Sequence, residues 1–182
     1  MSTSPVLKAI ILRGPPGVGK SAVRKQLQAH LGKSGRHINL DAYWGKDEWR
    51  YAEPEFRYAD LQLAKEPVLV VELAWGEPDG LTSPGATRGA NEWMGILQKV
   101  KREIYPFFLT AEWKDILKRL TDRNGHEANH NVLAELGRAS FYEHKHPLFS
   151  YPELPGITER TIDTTGKTAE AVAEAIKKVA GL

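Results

Sequence analysis

The apolar residues of this chain fall into five short runs, separated by stretches whose apolar residues recur at helical spacing. The runs have the length and composition of buried strands and cover residues 6–12, 37–40, 67–74, 104–109 and 158–162. The helical patterns cover residues 21–31, 89–102, 112–123, 132–144 and 168–179, with a weaker pattern at 54–64. Strands that alternate with helices favour a parallel sheet, because right-handed crossovers leave few other connections. The pattern therefore predicts a three-layer αβα fold around a five-stranded parallel sheet.

Length and composition bound the kind of protein. A chain of 182 residues with 41% hydrophobic content can bury one substantial core, so we expect a single domain over residues 1–182. The net charge of +2 is too small to predict nucleic-acid binding by itself. The sequence contains no cysteine, which excludes disulfides and thiolate metal sites, and it shows neither a signal-peptide pattern nor a membrane-length apolar run. We therefore expect a cytoplasmic protein with no membrane partner.

The segment between the first strand and the first helix carries the most specific signal. It reads GPPGVGKS and fits the phosphate-binding pattern GxxxxGK[ST] in its strand–loop–helix context. Glycines let successive backbone N–H groups turn toward an anion. We expect Lys20 to reach the β- and γ-phosphates of ATP and Ser21 to bind Mg²⁺. The predicted nucleotide contacts here are Gly14, Pro15, Pro16, Gly17, Val18, Gly19, Lys20, Ser21 and Ala22.

Three further segments lie where ligands of such sheets bind, beyond the carboxyl ends of the strands. Residues 41–66 follow the second strand and are rich in aromatic residues, whereas residues 75–88 follow the third strand and contain glycine and proline. We expect these two segments to bind the acceptor substrate. Residues 123–131 are polar and contain a glycine, which predicts a mobile lid. The candidate acceptor contacts are Tyr43, Trp44, Trp49, Arg57, Glu72, Trp75 and Arg88.

Two acidic residues near the predicted strand ends are candidates for chemistry. Asp41 follows the second apolar run, where its carboxylate can orient or deprotonate an acceptor hydroxyl; the alternative is an N-cap for the following segment. Glu72 lies inside the apolar run VLVVELA, where an acid is costly without a partner. It holds a Mg²⁺-bound water, orients the acceptor, or pairs with a lysine or arginine. The sequence leaves these alternatives open.

Arg119 and Arg123 lie four residues apart in the helix before the predicted lid, so both project from one face. They can neutralise charge on the transferring phosphoryl group, or serve as ordinary partners of the helix dipole that face solvent. The segment RLTDRNGH that begins at Arg119 resembles the lid of gluconate kinases, in which a helix ending RxxxR is followed by Gly-His, and more loosely that of shikimate kinases. The resemblance implies a P-loop NTPase fold of the small-metabolite kinase branch. It also implies that Arg119 stacks near the adenine, that Arg123 contacts the phosphates, and that a turn containing Thr165 and Lys167 passes beside the base.

The acceptor half of the chain departs from that family, and other interpretations stay open. The segment NLDAYW after the second strand also resembles that of polynucleotide 5′-hydroxyl kinases, which makes nucleic acid an alternative acceptor. Arg50, Arg57 and Arg88 would suit a nucleotide kinase, since they could grip an acceptor phosphate. Residues 126–130 fit the HExxH pattern of zinc proteases, but Asn124 and Gly125 interrupt the helix that this pattern requires.

The sequence thus predicts an ATP-dependent kinase that transfers the γ-phosphoryl group of Mg-ATP to a hydroxyl of a small molecule. The predicted catalytic residues are Asp41, Lys20 and Arg123. From a different class, a non-kinase ATP-binding switch module is the alternative. A GTPase is disfavoured, because the chain has no NKxD element and its DxxG match, at residues 163–166, comes too late to follow the strand beside the P-loop.

Overall fold

The computed structural model describes residues 6–39, 63–73, 99, 102–124 and 158–182. The strands in these ranges are β1 (Lys8–Arg13), β2 (Gly35–Asn39), β3 (Val68–Leu73), β4 (Glu103–Thr110) and β5 (Arg160–Asp163). The helices are α1 (Lys20–Leu31), α2 (Trp113–Asn124) and α3 (Ala169–Ala180). All five predicted strands and the three predicted helices in these ranges are confirmed, with ends that differ by at most two residues. The predicted helix at 132–144 and most of those at 54–64 and 89–102 lie outside the described residues.

The five strands form one parallel sheet in the order β2-β3-β1-β4-β5. The strand that precedes the glycine-rich loop therefore lies at the centre, between β3 and β4. In this register Leu12 of β1 lies beside Glu72 of β3, and Glu72 lies beside Asn39 of β2. The carboxyl ends of β1, β2 and β3 consequently meet at one edge of the sheet, which is where ligands of open α/β sheets bind.

Both faces of the central strands are buried, which explains why β1 and β3 read as nearly continuous apolar runs. On one face, alternate residues of β1, β3 and β4 pack with the apolar sides of the helices. This core cluster contains Ile10, Leu12, Val18, Val23, Leu27, Val68, Val70, Phe107, Leu109, Ile116, Leu120, Val172, Ala173, Ile176 and Ala180. The intervening residues Ala9, Ile11, Leu69 and Val71 are also fully buried. The three-layer αβα fold is confirmed.

The helix ends follow local sequence signals. Gly32 ends α1 with a positive φ, and its N–H donates to the Gln28 carbonyl. Thr168 caps α3, because its side chain accepts from the Ala171 N–H at 3.1 Å. The prediction that a helix extends to Arg102 is wrong, since Arg102 is not helical and its guanidinium donates to the carbonyls of Ala64 and Glu66. Within the described ranges, no helix combines the length and apolarity that crossing a bilayer requires.

Candidate functional site

The loop between β1 and α1 has the backbone conformation that its glycines predict. Gly14, Gly17 and Gly19 have φ values of 133°, 83° and 97°, which place all three in regions that favour glycine. A Cβ at Gly14 would lie 2.3 Å from the Leu109 carbonyl oxygen, so the loop begins in direct contact with β4. Gly19 is the N-cap of α1 and has no side chain to accept from the first N–H groups of the helix. Those donors and the helix dipole therefore remain available to an anion.

Helix α2 packs directly on this loop. A Cβ at Gly17 would lie 2.9 Å from Cγ2 of Ile116 and 3.1 Å from Cγ of Leu120. Both side chains belong to the buried core. Because Gly17 has no side chain, the apolar face of α2 packs directly against the loop. The loop conformation depends on that contact.

Lys20 turns its ammonium group into the loop. The side chain is largely buried, with 8% of the residue exposed. Its Nζ donates to the Gly14 carbonyl at 2.7 Å and to the Pro15 carbonyl at 3.1 Å. A buried ammonium needs such oxygen partners, and these two hold it on the concave side of the loop. The ammonium group therefore lies inside the loop that the sequence predicts to bind phosphate.

Glu72 lies at the centre of a polar cluster between α1 and the ends of β2 and β3. It continues the row that Val68 and Val70 form on one face of β3, and it is only 2% exposed. Ser21 donates to its Oε2 at 3.0 Å. Arg24 Nε lies 2.6 Å and His37 Nε2 lies 3.4 Å from its Oε1. Neither of these two contacts meets the geometry of a hydrogen bond, so Oε1 is held by its ion pair with Arg24 and by the close approach of His37.

These contacts keep the Glu72 carboxylate ionised despite its burial. Burial raises the pKa of Glu72, but the contacts from His37 and Ser21 and the charge of Arg24 outweigh it and hold the pKa below its ordinary value of 4.5. Because the Ser21 hydroxyl donates its hydrogen bond to Glu72, the lone pairs of its oxygen remain available to a cation. Hydroxyl and carboxylate oxygens are the ligands that Mg²⁺ prefers. The residues present therefore fit Mg²⁺ beside a phosphate-binding loop.

Arg119 connects α2, the glycine-rich loop and the turn after β5. Its Nη1 donates to Oγ1 of Thr164 at 3.0 Å and approaches the Gly17 carbonyl at 3.5 Å, and its Nη2 donates to the Thr164 carbonyl at 2.7 Å. A Cβ at Gly19 would lie 4.0 Å from Nη1, so the guanidinium faces the start of α1 as well. Arg119 therefore lies beside both the glycine-rich loop and the turn after β5.

The turn after β5 is shaped by its own side chains and by α2. The Thr165 N–H donates to Oδ1 of Asp163 at 2.9 Å, which lowers the pKa of that carboxyl. Oγ1 of Thr165 accepts from the Glu112 N–H, and the Gly166 N–H donates to Oδ2 of Asp115. Lys167 Nζ donates to the Asp163 carbonyl at 2.8 Å. Thr165 and Lys167 therefore lie in one ordered turn that Arg119 joins to the phosphate loop.

The described residues include only part of the predicted site. The loop from Gly14 to Ala22, Glu72, Arg119, Thr165 and Lys167 are described and lie along the carboxyl edge of the sheet. Arg123 belongs to α2, but its side chain lies outside the described part of the chain. The other candidates outside the described residues are Asp41, Tyr43, Trp44, Trp49, Arg57, Trp75 and Arg88. Most of segment 41–66, all of segment 75–88 and most of the predicted lid at 123–131 are outside them too, as is the HExxH match at 126–130.

Two residues of the Glu72 cluster were not predicted. Arg24 follows Ser21 by three residues on α1, which puts both on the same side of the helix, and that spacing is a signal the sequence does contain. His37 lies on β2 beside Val70, and no local pattern links it to Glu72. Of the alternatives for Glu72, the described contacts show the pairing with an arginine, and they add a hydrogen bond from the serine expected to hold Mg²⁺.

The parallel sheet, the central loop and the inward lysine define the P-loop class of nucleoside-triphosphate-binding folds. A scan against protein-family models and a search of curated proteins found no match. Solved structures do match over nearly the whole chain. The tunicamycin resistance protein of Deinococcus radiodurans has a TM-score of 0.60 at 21% identity and covers 97% of this chain and 96% of its own.

Two kinases of the branch expected from the lid sequence also match. A gluconokinase from Sinorhizobium meliloti 1021 has a TM-score of 0.57 at 15% identity, with 98% of this chain and 96% of that chain covered. The shikimate kinase of Acinetobacter baumannii, in complex with shikimate, has a TM-score of 0.51 at 19% identity, with 96% and 93% covered. At these identities the comparisons establish the fold, which is that of the P-loop small-molecule kinases.

Proposed function

We propose that this chain is an ATP-dependent kinase that transfers the γ-phosphoryl group of Mg-ATP to a hydroxyl of a small molecule. The observation that carries the proposal is the joint geometry of Lys20 and Ser21. The Lys20 ammonium is held on the inner side of the loop by the Gly14 and Pro15 carbonyls, and Ser21 is held by the buried Glu72 carboxylate. A lysine for the phosphates and a serine for the cation are the two side-chain functions of a P-loop.

The residue roles follow from the charge that phosphoryl transfer must accommodate. The reaction needs in-line positioning and charge neutralisation more than covalent help from the protein. Mg²⁺ would be held by Ser21 and would neutralise part of the phosphate charge. Lys20 and Arg123 contact the transferring group, and Asp41 orients or deprotonates the acceptor hydroxyl. Arg119 and the turn at Thr165 and Lys167 hold the base side of the nucleotide.

The acceptor is proposed to lie among the aromatic and arginine side chains of segments 41–66 and 75–88. Aromatic faces accept sugars, nucleosides and aromatic antibiotics alike, so we propose a small hydroxyl compound that packs on aromatic side chains. The solved structures supply named compounds for a first screen, namely gluconate, shikimate and tunicamycin. We place the reaction in the cytoplasm, where ATP is available and a chain without cysteine needs no oxidising environment.

The test is an acceptor screen that follows ADP release from Mg-ATP. The compounds are gluconate, shikimate, tunicamycin, sugars, nucleosides, amino alcohols and 5′-hydroxyl oligonucleotides. For a compound that is phosphorylated, Asp41→Asn should lower kcat at least ~100-fold with little change in ATP affinity. Asp122→Asn is the matched control, because Asp122 is exposed on α2. ATP hydrolysis that no compound stimulates would favour the switch-module alternative instead.

A further inference from the structure

We propose that Arg24 is a positioning residue for the metal-binding serine: it holds the Glu72 carboxylate in the orientation that lets Oε2 accept from Ser21. The inference rests on the proposed function, since Ser21 acts as a Mg²⁺ ligand there. It assigns to Arg24 a role that the phosphate-loop pattern does not contain, because that pattern ends at Ser21. The contacts around Glu72 support it step by step.

The two oxygens of Glu72 are divided between two sets of partners. Oε2 accepts from Ser21 at 3.0 Å, whereas Oε1 lies 2.6 Å from Arg24 Nε and 3.4 Å from His37 Nε2. A carboxylate at the end of a flexible side chain rotates readily about its last torsion. Attraction on Oε1 from one side fixes that rotation, so the other oxygen stays directed at Ser21. The arginine thereby acts on the serine through Glu72.

The position of Arg24 on α1 makes this arrangement possible. Ser21 and Arg24 are three residues apart, so their side chains leave the same side of the helix one turn apart. Val23 and Leu27 anchor α1 in the core, which fixes the height of that turn above β3. Glu72 ends the row of Val68 and Val70 on the face of β3 that α1 covers. Two residues one helical turn apart therefore contact the two oxygens of a single buried carboxylate, Ser21 at Oε2 and Arg24 at Oε1.

The burial of Glu72 explains why a cation is needed at this place. Its side chain is only 3% exposed, and that of Arg24 is 21% exposed. A buried carboxylate needs a cationic partner, and Arg24 supplies one at Oε1. This ion pair holds Oε1 on the side of Arg24, which leaves Oε2 as the oxygen that accepts from Ser21.

The test measures ADP binding by calorimetry with Mg²⁺ and again with EDTA. The dissociation constant in EDTA divided by that with Mg²⁺ gives the metal-dependent part of the affinity. Arg24→Gln should reduce that ratio about tenfold, the effect expected for a group that supports a metal ligand, and leave the affinity in EDTA unchanged within about twofold. Arg24→Lys keeps the positive charge and should recover part of the ratio. Lys25→Gln, an exposed neighbour on α1, is the matched control and should behave like the wild type.

A double variant identifies the route of the effect. If Arg24 acts through Glu72, Arg24→Gln combined with Glu72→Gln should lose no more of the ratio than Glu72→Gln alone. An equal loss of affinity with and without Mg²⁺, a loss of the same size in Lys25→Gln, or additive losses in the double variant would overturn the role of Arg24. A wild-type chain that binds Mg-ADP but phosphorylates no compound in the screen refutes only the proposed transfer. A wild-type affinity that does not respond to Mg²⁺ refutes both.

Discussion

Replacing Gly14 by alanine tests the loop geometry on which the nucleotide site depends. Gly14 has a φ of 133°, and a Cβ there would lie 2.3 Å from the Leu109 carbonyl oxygen. A side chain in such a backbone conformation costs about 1–3 kcal/mol. Overpacking against a buried neighbour costs a further ~1–3 kcal/mol, and the neighbour here is the backbone of β4, which two adjacent strands hold in place. We expect Gly14→Ala to lower the free energy of unfolding by about 2–6 kcal/mol.

Gly32→Ala is the matched control, because Gly32 has a φ of 53° and its Cβ would meet no described atom within 4 Å. Its free energy of unfolding should fall only by the cost of the backbone conformation. The difference in the free energy of unfolding between the two variants therefore isolates the contact with β4. Urea denaturation followed by circular dichroism measures both free energies, and each kcal/mol corresponds to about 2–4 °C in Tm for a chain of this size. Calorimetry should show ADP binding lost in Gly14→Ala and retained in Gly32→Ala. Equal destabilisation by the two variants, or ADP binding by Gly14→Ala, would refute the geometric argument.

Three further outcomes are expected. Arg123→Ala should lower kcat about a hundredfold while weakening ATP binding much less, because we propose that its guanidinium stabilises the transferring phosphoryl group; an equal change in both would assign Arg123 to ground-state binding. Arg119→Ala removes the bonds to Thr164 and should lower the free energy of unfolding by about 1–2 kcal/mol and weaken ADP binding, whereas the exposed neighbour Lys118→Ala should change neither. The folded-state pKa of Glu72 is depressed, so its contribution to stability is complete above its ordinary value of 4.5 and is lost as pH falls through the lower folded value. Urea denaturation from pH 7 down to pH 3 should therefore show a shallower acid dependence for Glu72→Gln, and an unchanged dependence would contradict the ion pairing.

The fold could be predicted because its signals are local. The apolar runs of β1 and β3 are buried on both faces, so their sequences are continuous, and the phosphate loop requires glycines at fixed spacing. Glu72 could be singled out because an acid within an apolar strand is rare. The partners of Glu72 could not be predicted from the sequence. Its contacts with Arg24 and His37 depend on the order of the strands and on the position of α1 over the sheet. The burial of Arg13 could not be predicted for the same reason. Arg13 is fully buried at the end of β1, and its ion pair with Glu159 joins residues far apart in sequence.

The contact between Gly17 and the apolar side of α2 means that substitutions in the core can affect the phosphate-binding loop. Ile116 and Leu120 touch no ligand in the proposed reaction, yet the shape of the loop above them depends on their volume. A larger side chain at either position would press directly on the loop at Gly17. A saturation screen scored by ADP affinity should therefore report positions in the hydrophobic interior as sensitive. Substitutions in the core can consequently change the nucleotide affinity of this protein without altering a residue that contacts the ligand.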